Sequence, residues 1–390
     1  MNIYLDYAAT TPISLEVKEV MINHFDTFGN PSSLHHLGVV AEKLIKQARK
    51  QVSDALGVNE REIIFTSGGT EANNLAIQGL TLNRTNVRYI TSQIEHPSVL
   101  GIFEWLEKNG ADVVYLPVDE QGRVMLEALK SALSKETVLV SVMAVNNETG
   151  TIQPVQEIGT MIQTFNREFQ AQVRFHVDAV QAFGKFTLMP EKLNVDAMSI
   201  SAHKIGGPKG IGALYVKKGI NLKPLMFGGQ QEQGLRPGTE NGLGIVAFGK
   251  AAELAKNHMA QRESYIKEIK ATFINALMQE PEIIINGTAD AGASPYIINL
   301  SVMGVKGEVL LHTLEMKGLY VATGSACSSK KKVASHVLRA MKLNDARLEG
   351  AIRISFSHLT TIEEVKMATD ILIESAKTLR SIMSSKHRKK

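Results

Sequence analysis

The sequence predicts an α/β fold, with a mainly parallel sheet covered by helices and a smaller α+β domain towards the C-terminal end. Short apolar runs, typical of buried strands, alternate with longer stretches that have helical periodicity. Such alternation indicates βαβ units, whose helices cover both faces of the sheet. The last third of the chain departs from this order, and the length of 390 residues allows two or three domains at about 100–200 residues each.

Seven apolar runs predict a seven-stranded sheet. Six of these runs lie at residues 63–65, 87–91, 113–116, 138–144, 173–177 and 195–200. Helices are predicted at residues 37–56, 97–108 and 155–169, and the first of them carries its apolar residues on one stripe with a 3.6-residue period. The seventh run, 210–216, follows residue 200 without a helical stretch between them, which predicts an antiparallel addition to the sheet.

A long helix is predicted to link the two domains, because residues 251–280 contain no glycine or proline. We expect a large domain of residues 15–250 and a small domain of residues 1–14 and 260–390. In the small domain the patterns predict strands at 283–285, 296–302 and 352–356, and helices at 307–317 and 362–383. The segment 323–335 is predicted to be an irregular loop.

Charge balance and cysteine content exclude several classes of protein. The 43 Lys and Arg residues against 39 Asp and Glu leave a net charge of +4, which is too even for a dedicated nucleic-acid binder. No apolar stretch approaches the ~18–20 residues of a spanning helix, and residues 1–7 lack the pattern of a signal peptide. We therefore expect a protein that binds neither nucleic acid nor membranes directly. Because a single cysteine cannot form an intramolecular disulfide, we also expect a cytoplasmic protein.

A lysine follows the strand 195–200, at the edge where open α/β sheets bind ligands. Ser201 and His203 precede Lys204, and a glycine-rich turn comes next. The hydroxyl and imidazole could hold a phosphate, and the lysine suits a Schiff base with pyridoxal 5'-phosphate. Taken alone, a surface lysine in a turn is the more ordinary interpretation.

A carboxylate at the end of an apolar strand favours a cofactor-binding lysine over an ordinary surface lysine. Asp178 directly follows the strand 173–177, where an unpaired charge is costly. Pyridoxal phosphate needs such a carboxylate to keep its pyridine nitrogen protonated. A capping aspartate is the alternative, but the lysine that follows the next strand favours a cofactor site.

Three further groups lie at junctions of the same predicted sheet. Gly69 and Thr70 stand between a strand and a helix start, where backbone N–H groups bind phosphate. His96 precedes a proline, so it could stack on a flat cofactor ring or simply pack at a helix start. Asn147 follows the strand 138–144 and supplies an amide.

The lone cysteine lies in an unusual environment. Cys327 is surrounded by small polar residues, with three lysines just behind it at residues 330–332. Structural cysteines are normally buried among apolar neighbours, whereas nearby positive charge favours the nucleophilic thiolate. The segment therefore predicts a reactive thiol on an exposed loop.

With these motifs in place, the chain resembles the pyridoxal-phosphate-dependent cysteine desulfurases of the NifS/IscS type, within aminotransferase class V and fold type I. The resemblance runs from residues 4–12 to residues 353–355 and includes residues 28–33 and 236–241. The Gly-Ser-Ala-Cys sequence at 324–327, with its extended loop, is similar to the IscS-like group rather than the short-loop group.

The resemblance implies a role for each candidate residue. Lys204 would bind the cofactor covalently and move the substrate Cα proton, while Cys327 would receive the sulfur as a persulfide. His96 would stack on the cofactor ring and take part in catalysis. Asp178 would bind the pyridine nitrogen. The remaining implied contacts are Gln181 and Asn147 at the ring oxygen and its surroundings, Gly69, Thr70, Ser201 and His203 at the phosphate, Arg353 at the substrate carboxylate, and Asn30 in the substrate pocket.

The resemblance also implies partners. Thr239 would reach the phosphate of the neighbouring subunit, so a homodimer is expected, and no metal is expected. L-Cysteine would be converted to L-alanine, and the sulfur would pass to an iron–sulfur scaffold or a tRNA sulfurtransferase. A selenocysteine lyase or another class V enzyme is the alternative, since a lyase would also tolerate Cys327. A non-enzymatic relative is a third reading, which the presence of Lys204, Asp178 and Arg353 disfavours.

Overall fold

The structure is a computed structural model that describes residues 2–81, 87–288, 290, 292–323 and 335–387, with side chains to residue 382. Cys327 and most of the segment 323–335 lie outside the described residues, as do residues 388–390.

Among the described residues the larger sheet has seven strands, as predicted. They are β2 Ile63–Thr66, β3 Arg88–Ser92, β4 Asp112–Leu116, β5 Thr137–Met143, β6 Arg174–Asp178, β7 Ala197–Ser201 and β8 Gly212–Val216. Their spatial order is β2-β8-β7-β6-β5-β3-β4. Strands β4, β3, β5, β6 and β7 are mutually parallel, whereas β8 runs antiparallel to both β7 and β2. The prediction of a mainly parallel sheet with an antiparallel addition at residues 210–216 is confirmed.

Helices precede or separate these strands and cover the sheet. They are α1 Leu15–Asn23, α2 His36–Leu56, α3 Gly69–Thr81, α4 Pro97–Lys108, α5 Leu126–Ala132 and α6 Val155–Phe169. Helix α4 has the predicted bounds, with Pro97 in its first turn and His96 as its N-cap. A proline suits that position because its missing N–H would have no helical partner there.

The C-terminal third of the chain forms a second, antiparallel sheet. Its strands, in the order β12-β10-β9, are β9 Ile283–Asn286, β10 Ile297–Val302 and β12 Ala351–Ser355. A short parallel pair joins β1 Ile3–Tyr4 to β11 Leu319–Tyr320. The helices of this part are α8 Gly307–Met316, α9 His336–Ala340, α10 Asp345–Glu349 and α11 Ile362–His387.

One long helix, α7 Gly242–Leu277, joins the two parts. It begins at Gly242 rather than at residue 251, because its early glycines do not break it. Gly249 packs against α2, where a Cβ atom would come within 2.7 Å of the Ala48 Cβ. A glycine that seemed a helix breaker is therefore a point of close helix contact.

Two apolar cores lie at the two ends of this helix. Phe248 and Ala252 of α7 belong to the core around the seven-stranded sheet, whereas Ile266 and Phe273 belong to the core of the antiparallel sheet. Ile3 and Leu5, from the start of the chain, join the second core. The domain boundaries given above stay a prediction. Among the described residues, no helix is long and apolar enough to cross a membrane.

Candidate active site

The carboxyl ends of three neighbouring parallel strands form the centre of the site. Asp178 is the last residue of β6, Ser201 is the last residue of β7, and Asn147 follows β5. The register pairs Met143 of β5 with Asp178, and Asp178 with Ser199 of β7. Since α/β sheets bind ligands beyond the carboxyl ends of their strands, the structure places the predicted residues at the expected edge.

The Asp178 carboxylate is buried, with 6% of its surface exposed, and two N–H groups hold it. Its Oδ1 accepts from the Val180 backbone at 3.0 Å, and its Oδ2 accepts from Asn73 Nδ2 at 2.8 Å. Among the described residues, no cationic side chain forms an ion pair with it. A buried carboxylate without a cation is costly, so the protonated pyridine nitrogen of pyridoxal phosphate fits this position.

The predicted phosphate site lies where α3 begins. A Cβ atom at Gly69 would come within 2.7 Å of Val180 Cγ2 and would lie 3.8 Å from Ser201 Cβ, so the helix start packs closely against the end of β7. Thr70 is exposed and its hydroxyl can reach a ligand. Helix N-termini bind phosphate through backbone N–H groups, and these residues fit that group.

His203 lies beside this position in a short 3₁₀ helix, Ala202–Lys204. Its Nδ1 is 3.2 Å from Thr10 Oγ1. Burial, with the nearby Lys204 charge as a smaller cause, lowers the pKa of His203 to about 4. The imidazole is therefore neutral near pH 7, so it can hydrogen-bond a phosphate but adds no charge.

Lys204 projects towards the N-terminal segment of the chain. Its Nζ donates to the carbonyl oxygens of Ala8 at 2.6 Å and Ala9 at 2.8 Å. Gln181 Nε2 donates to the same Ala8 oxygen at 2.9 Å. The predicted Schiff-base lysine and the predicted ring-oxygen contact thus share one acceptor and are brought together.

His96, the N-cap of α4, is close enough to the charges of Asp178 and Lys204 for both to affect its pKa. Burial lowers its pKa, an effect that Asp178 opposes and that Lys204 reinforces. Its Nδ1 accepts from the Ser98 backbone at 3.1 Å and lies 2.8 Å from the Ser98 hydroxyl. A neutral ring held in this way is suited to stack on a planar cofactor.

Arg353, on β12, brings the second sheet to the site. Its Nη2 donates to Asp6 Oδ1 at 2.7 Å, and its Nη1 donates to the Asn147 carbonyl oxygen at 2.9 Å. Its Nε is buried without a partner among the described residues. An orphaned, buried donor calls for a partner, and a carboxylate is the group that a guanidinium binds best.

Asn30 and Thr239 are not brought to Lys204 within one chain. They line a separate cavity of about 380 Å³, whereas Lys204 lines another of about 480 Å³. Thr239 is exposed, and Asn30 Oδ1 accepts from the Ser32 backbone at 2.9 Å. Their roles stay predictions, and the role of Cys327 falls on a residue outside the described ones.

Sequence reasoning missed Asn73, which orients Asp178. Asn73 is fully buried, and its Nδ2 also donates to Ser98 Oγ at 2.9 Å, so it ties α3 to the His96 segment. A polar residue on the apolar face of α3, next to Ala72 and Ala76, was the available signal.

Two buried carboxyl groups were also missed. Burial raises the pKa of Glu95 to about 8 and that of Glu148 to about 7. Ser335 Oγ donates to Glu148 Oε2 at 2.5 Å, and His336 Nε2 lies 3.0 Å from the Glu95 carbonyl oxygen. These contacts attach residues 335 and 336, which follow the Cys327 segment, to the same edge of the sheet.

Comparisons with known proteins agree with this geometry. A family model described as aminotransferase class V matches residues 3–367. The chain is 41% identical over 383 residues to a Methanosarcina thermophila protein named cysteine desulfurase IscS, covering 97% of this chain and 93% of that protein. A solved structure titled NIFS-like protein matches with a TM-score of 0.89 at 36% identity, covering 97% of this chain and 99% of that one. A structure titled SspA in complex with cysteine matches with a TM-score of 0.80 at 35% identity, covering 92% and 100%.

Proposed function

Because the chain belongs to the aminotransferase class V family and is a pyridoxal-phosphate-dependent cysteine desulfurase, we propose that Cys327 is the residue that accepts sulfur from L-cysteine. The observation that carries this proposal is the meeting of Asp178, Lys204 and Arg353 around one sheet edge in a chain whose only cysteine is Cys327.

The cofactor is held by residues whose chemistry matches its three ends. Gly69, Thr70, Ser201 and His203 would bind the phosphate, and Asp178 would bind the pyridine nitrogen. Gln181 and Asn147 would serve the ring oxygen and its surroundings, with His96 on the ring face. When bound, pyridoxal phosphate supplies an electron sink for the charge that develops at the substrate Cα.

Lys204 and Arg353 would handle the substrate. Arg353 would bind the carboxylate of L-cysteine, since a guanidinium matches that group geometrically. Its contacts with Asp6 and the Asn147 carbonyl would hold it in place. Lys204 would take the proton from the substrate Cα.

The Cys327 thiolate would then attack the substrate sulfur. The new S–S bond forms as the substrate Cβ–Sγ bond breaks, and the electron pair of that bond passes to the substrate portion, which gains protons and leaves as L-alanine. Covalent geometry supports this role: Ala322 bridges to Arg353, and five residues can span at most about 18 Å.

A homodimer is part of the proposal. Large apolar side chains are highly exposed in two segments, with Phe28 81%, Leu34 97% and Phe227 91% exposed. Extended exposed apolar surface is typical of protein interfaces. Thr239 and Asn30 line a cavity together with Phe28. A second copy of the chain that packs on this surface would bring these two residues to its own active site.

The persulfide sulfur would pass to a protein acceptor, either an iron–sulfur scaffold or a tRNA sulfurtransferase. Purified enzyme loaded with ³⁵S-cysteine can be offered each kind of acceptor separately, and transfer of label to one of them identifies the class. Label that stays on Cys327 with both would argue against both acceptors.

The proposal is tested with purified holoenzyme, L-cysteine and a reductant, comparing wild type with Cys327→Ser. We expect equal amounts of alanine and sulfide from wild type and a collapse of both in the variant, with the cofactor spectrum retained. Alanine release that survives in the variant would contradict the role of Cys327 and favour a lyase that transfers no sulfur to the enzyme.

A further inference from the structure

A second lysine lies next to the site, and the mechanism above does not use it. Lys185 is 8% exposed and lines the same cavity as Lys204. Its Nζ donates to Gln181 Oε1 at 3.1 Å and lies 5.4 Å from the centre of the Tyr296 ring. A buried amine is costly unless its hydrogen bonds and charge are compensated, so its presence calls for a reason.

Its hydrogen bond determines which end of the Gln181 amide faces Lys204. An amide carries an acceptor oxygen and a donor NH₂ group, and it can rotate to exchange them. Because Lys185 donates to Oε1, Nε2 is directed to the opposite side, where it donates to the Ala8 oxygen. Lys204 Nζ donates to that same oxygen, so Nε2 lies beside the reacting amine.

We propose that Lys185 is a positioning residue that keeps the Nε2 donor of Gln181 directed at the ring oxygen of the cofactor. This inference rests on the proposed function, in which Gln181 serves that oxygen. With the amide rotated, Oε1 would face both the ring oxygen and the Ala8 carbonyl, and three acceptors would oppose one another. Lys185 excludes that arrangement because it has no acceptor to offer Nε2 when it is charged.

The electrostatic surroundings are consistent with a lysine that is kept for this contact. Burial, with the charges of Lys204 and Arg353 as smaller causes, lowers the pKa of Lys185 to about 7. Above that pKa the neutral amine still has N–H groups to donate to Oε1. Its lone pair can then also accept from Nε2, but the Ala8 carbonyl and the ring oxygen still disfavour the rotated amide. The Lys185 charge also lowers the pKa of His203. The cavity that Lys185 shares with Lys204 is lined by the further titratable groups Tyr7, Glu16, His258, Arg262, Tyr265, Tyr296 and His358.

The test compares Lys185→Met, which keeps an unbranched side chain, one atom shorter, and removes the donor, with Lys185→Arg, which keeps both donor and charge. The matched control is Lys270→Met, since Lys270 is also buried and donates to a single oxygen, that of Ser294 at 2.9 Å. The readouts are the dissociation constant for pyridoxal phosphate, the pH titration of the bound cofactor's visible absorbance band, and the thermal midpoint of each variant.

Loss of one hydrogen bond, ~0.5–1.5 kcal/mol, predicts about a three- to tenfold weaker affinity for the cofactor in Lys185→Met. The apparent pKa of the absorbance band should rise, since the ring oxygen loses a donor that stabilises its negative charge. Lys185→Arg should keep both the cofactor affinity and the pKa of the absorbance band close to wild type, and Lys270→Met should change neither. An unchanged titration in a folded Lys185→Met variant would overturn the proposal.

A double-mutant cycle separates positioning from a direct charge effect. In a Gln181→Ala background, Lys185→Met should produce little further change in affinity or titration, because the amide it positions is gone. An equal change in both backgrounds would overturn the proposal. Failure of the proposed function shows up independently, as wild-type holoenzyme that makes no alanine from L-cysteine.

Discussion

Two regions that the sequence assigns to one site differ sharply in this chain. At the carboxyl edge of the sheet, Asp178, Gln181 and Arg353 are buried and each makes at least one hydrogen bond. Thr239 is exposed, and it shares with Asn30 a separate cavity bordered by exposed apolar side chains. In the proposed homodimer, residues of one subunit would hold the cofactor ring, and Thr239 would reach the phosphate bound by a second copy.

The largest effect on activity is expected from a residue at the carboxyl edge of the sheet. Lys204→Ala should lower alanine formation by about 10²- to 10⁴-fold, the usual contribution of a proton-transferring group. Reduction with borohydride should attach the cofactor to wild type and not to the variant, as mass spectrometry would show. A variant that retains full activity would mean that another base serves the site.

The proposed dimer interface is tested by placing a charge on one of the exposed apolar side chains. Phe227→Asp should weaken dimerisation by roughly 30-fold or more if this side chain is an interface anchor, measured by sedimentation velocity over a concentration series. Met316→Asp is the control, since Met316 is 81% exposed on α8, in the other part of the chain. An equal dimerisation affinity in the two variants would contradict a role of Phe227 in the dimer interface.

A smaller effect is expected from the residue that orients Asp178. Asn73→Ala removes the donor at Asp178 Oδ2 and should weaken cofactor affinity about three- to tenfold. Asn74→Ala is the matched control, because Asn74 is the next residue and its Nδ2 donates to the Thr70 carbonyl instead. Equal loss in both variants would indicate a general effect on α3 rather than on Asp178.

The last prediction concerns stability rather than activity. Because burial raises the pKa of Glu95 from 4.5 to about 8, the folded state holds a proton that the unfolded chain releases. Its contribution to the free energy of unfolding therefore falls as the pH rises from about 4.5 to about 8. Glu95→Gln should flatten that fall, measured by urea denaturation at pH 5, 6.5 and 8. If the free energy of unfolding falls as steeply with pH in the variant, the pH dependence comes from other groups.

Local patterns were sufficient for the strands and for the residues that follow them. Apolar runs located the seven strands, and residues directly after a parallel strand must lie at one edge of the sheet, which identified Asp178, Ser201 and Lys204. The start of α7 was misjudged because glycine lowers helix propensity, and close packing of Gly249 on α2 overrode that preference.

The sequence by itself determined the fold class, which follows from short-range periodicity. It also predicted candidate site residues, from residue types at strand ends and from the motifs of the family that the chain resembles. Tertiary structure alone decided the partners of those side chains. Asn73 reaches Asp178 across 105 residues, Arg353 reaches Asp6 across 347, and Lys204 reaches the Ala8 carbonyl across 196. Such contacts depend on how sheets and helices pack against one another, and local periodicity carries no information about distances between residues so far apart in the chain.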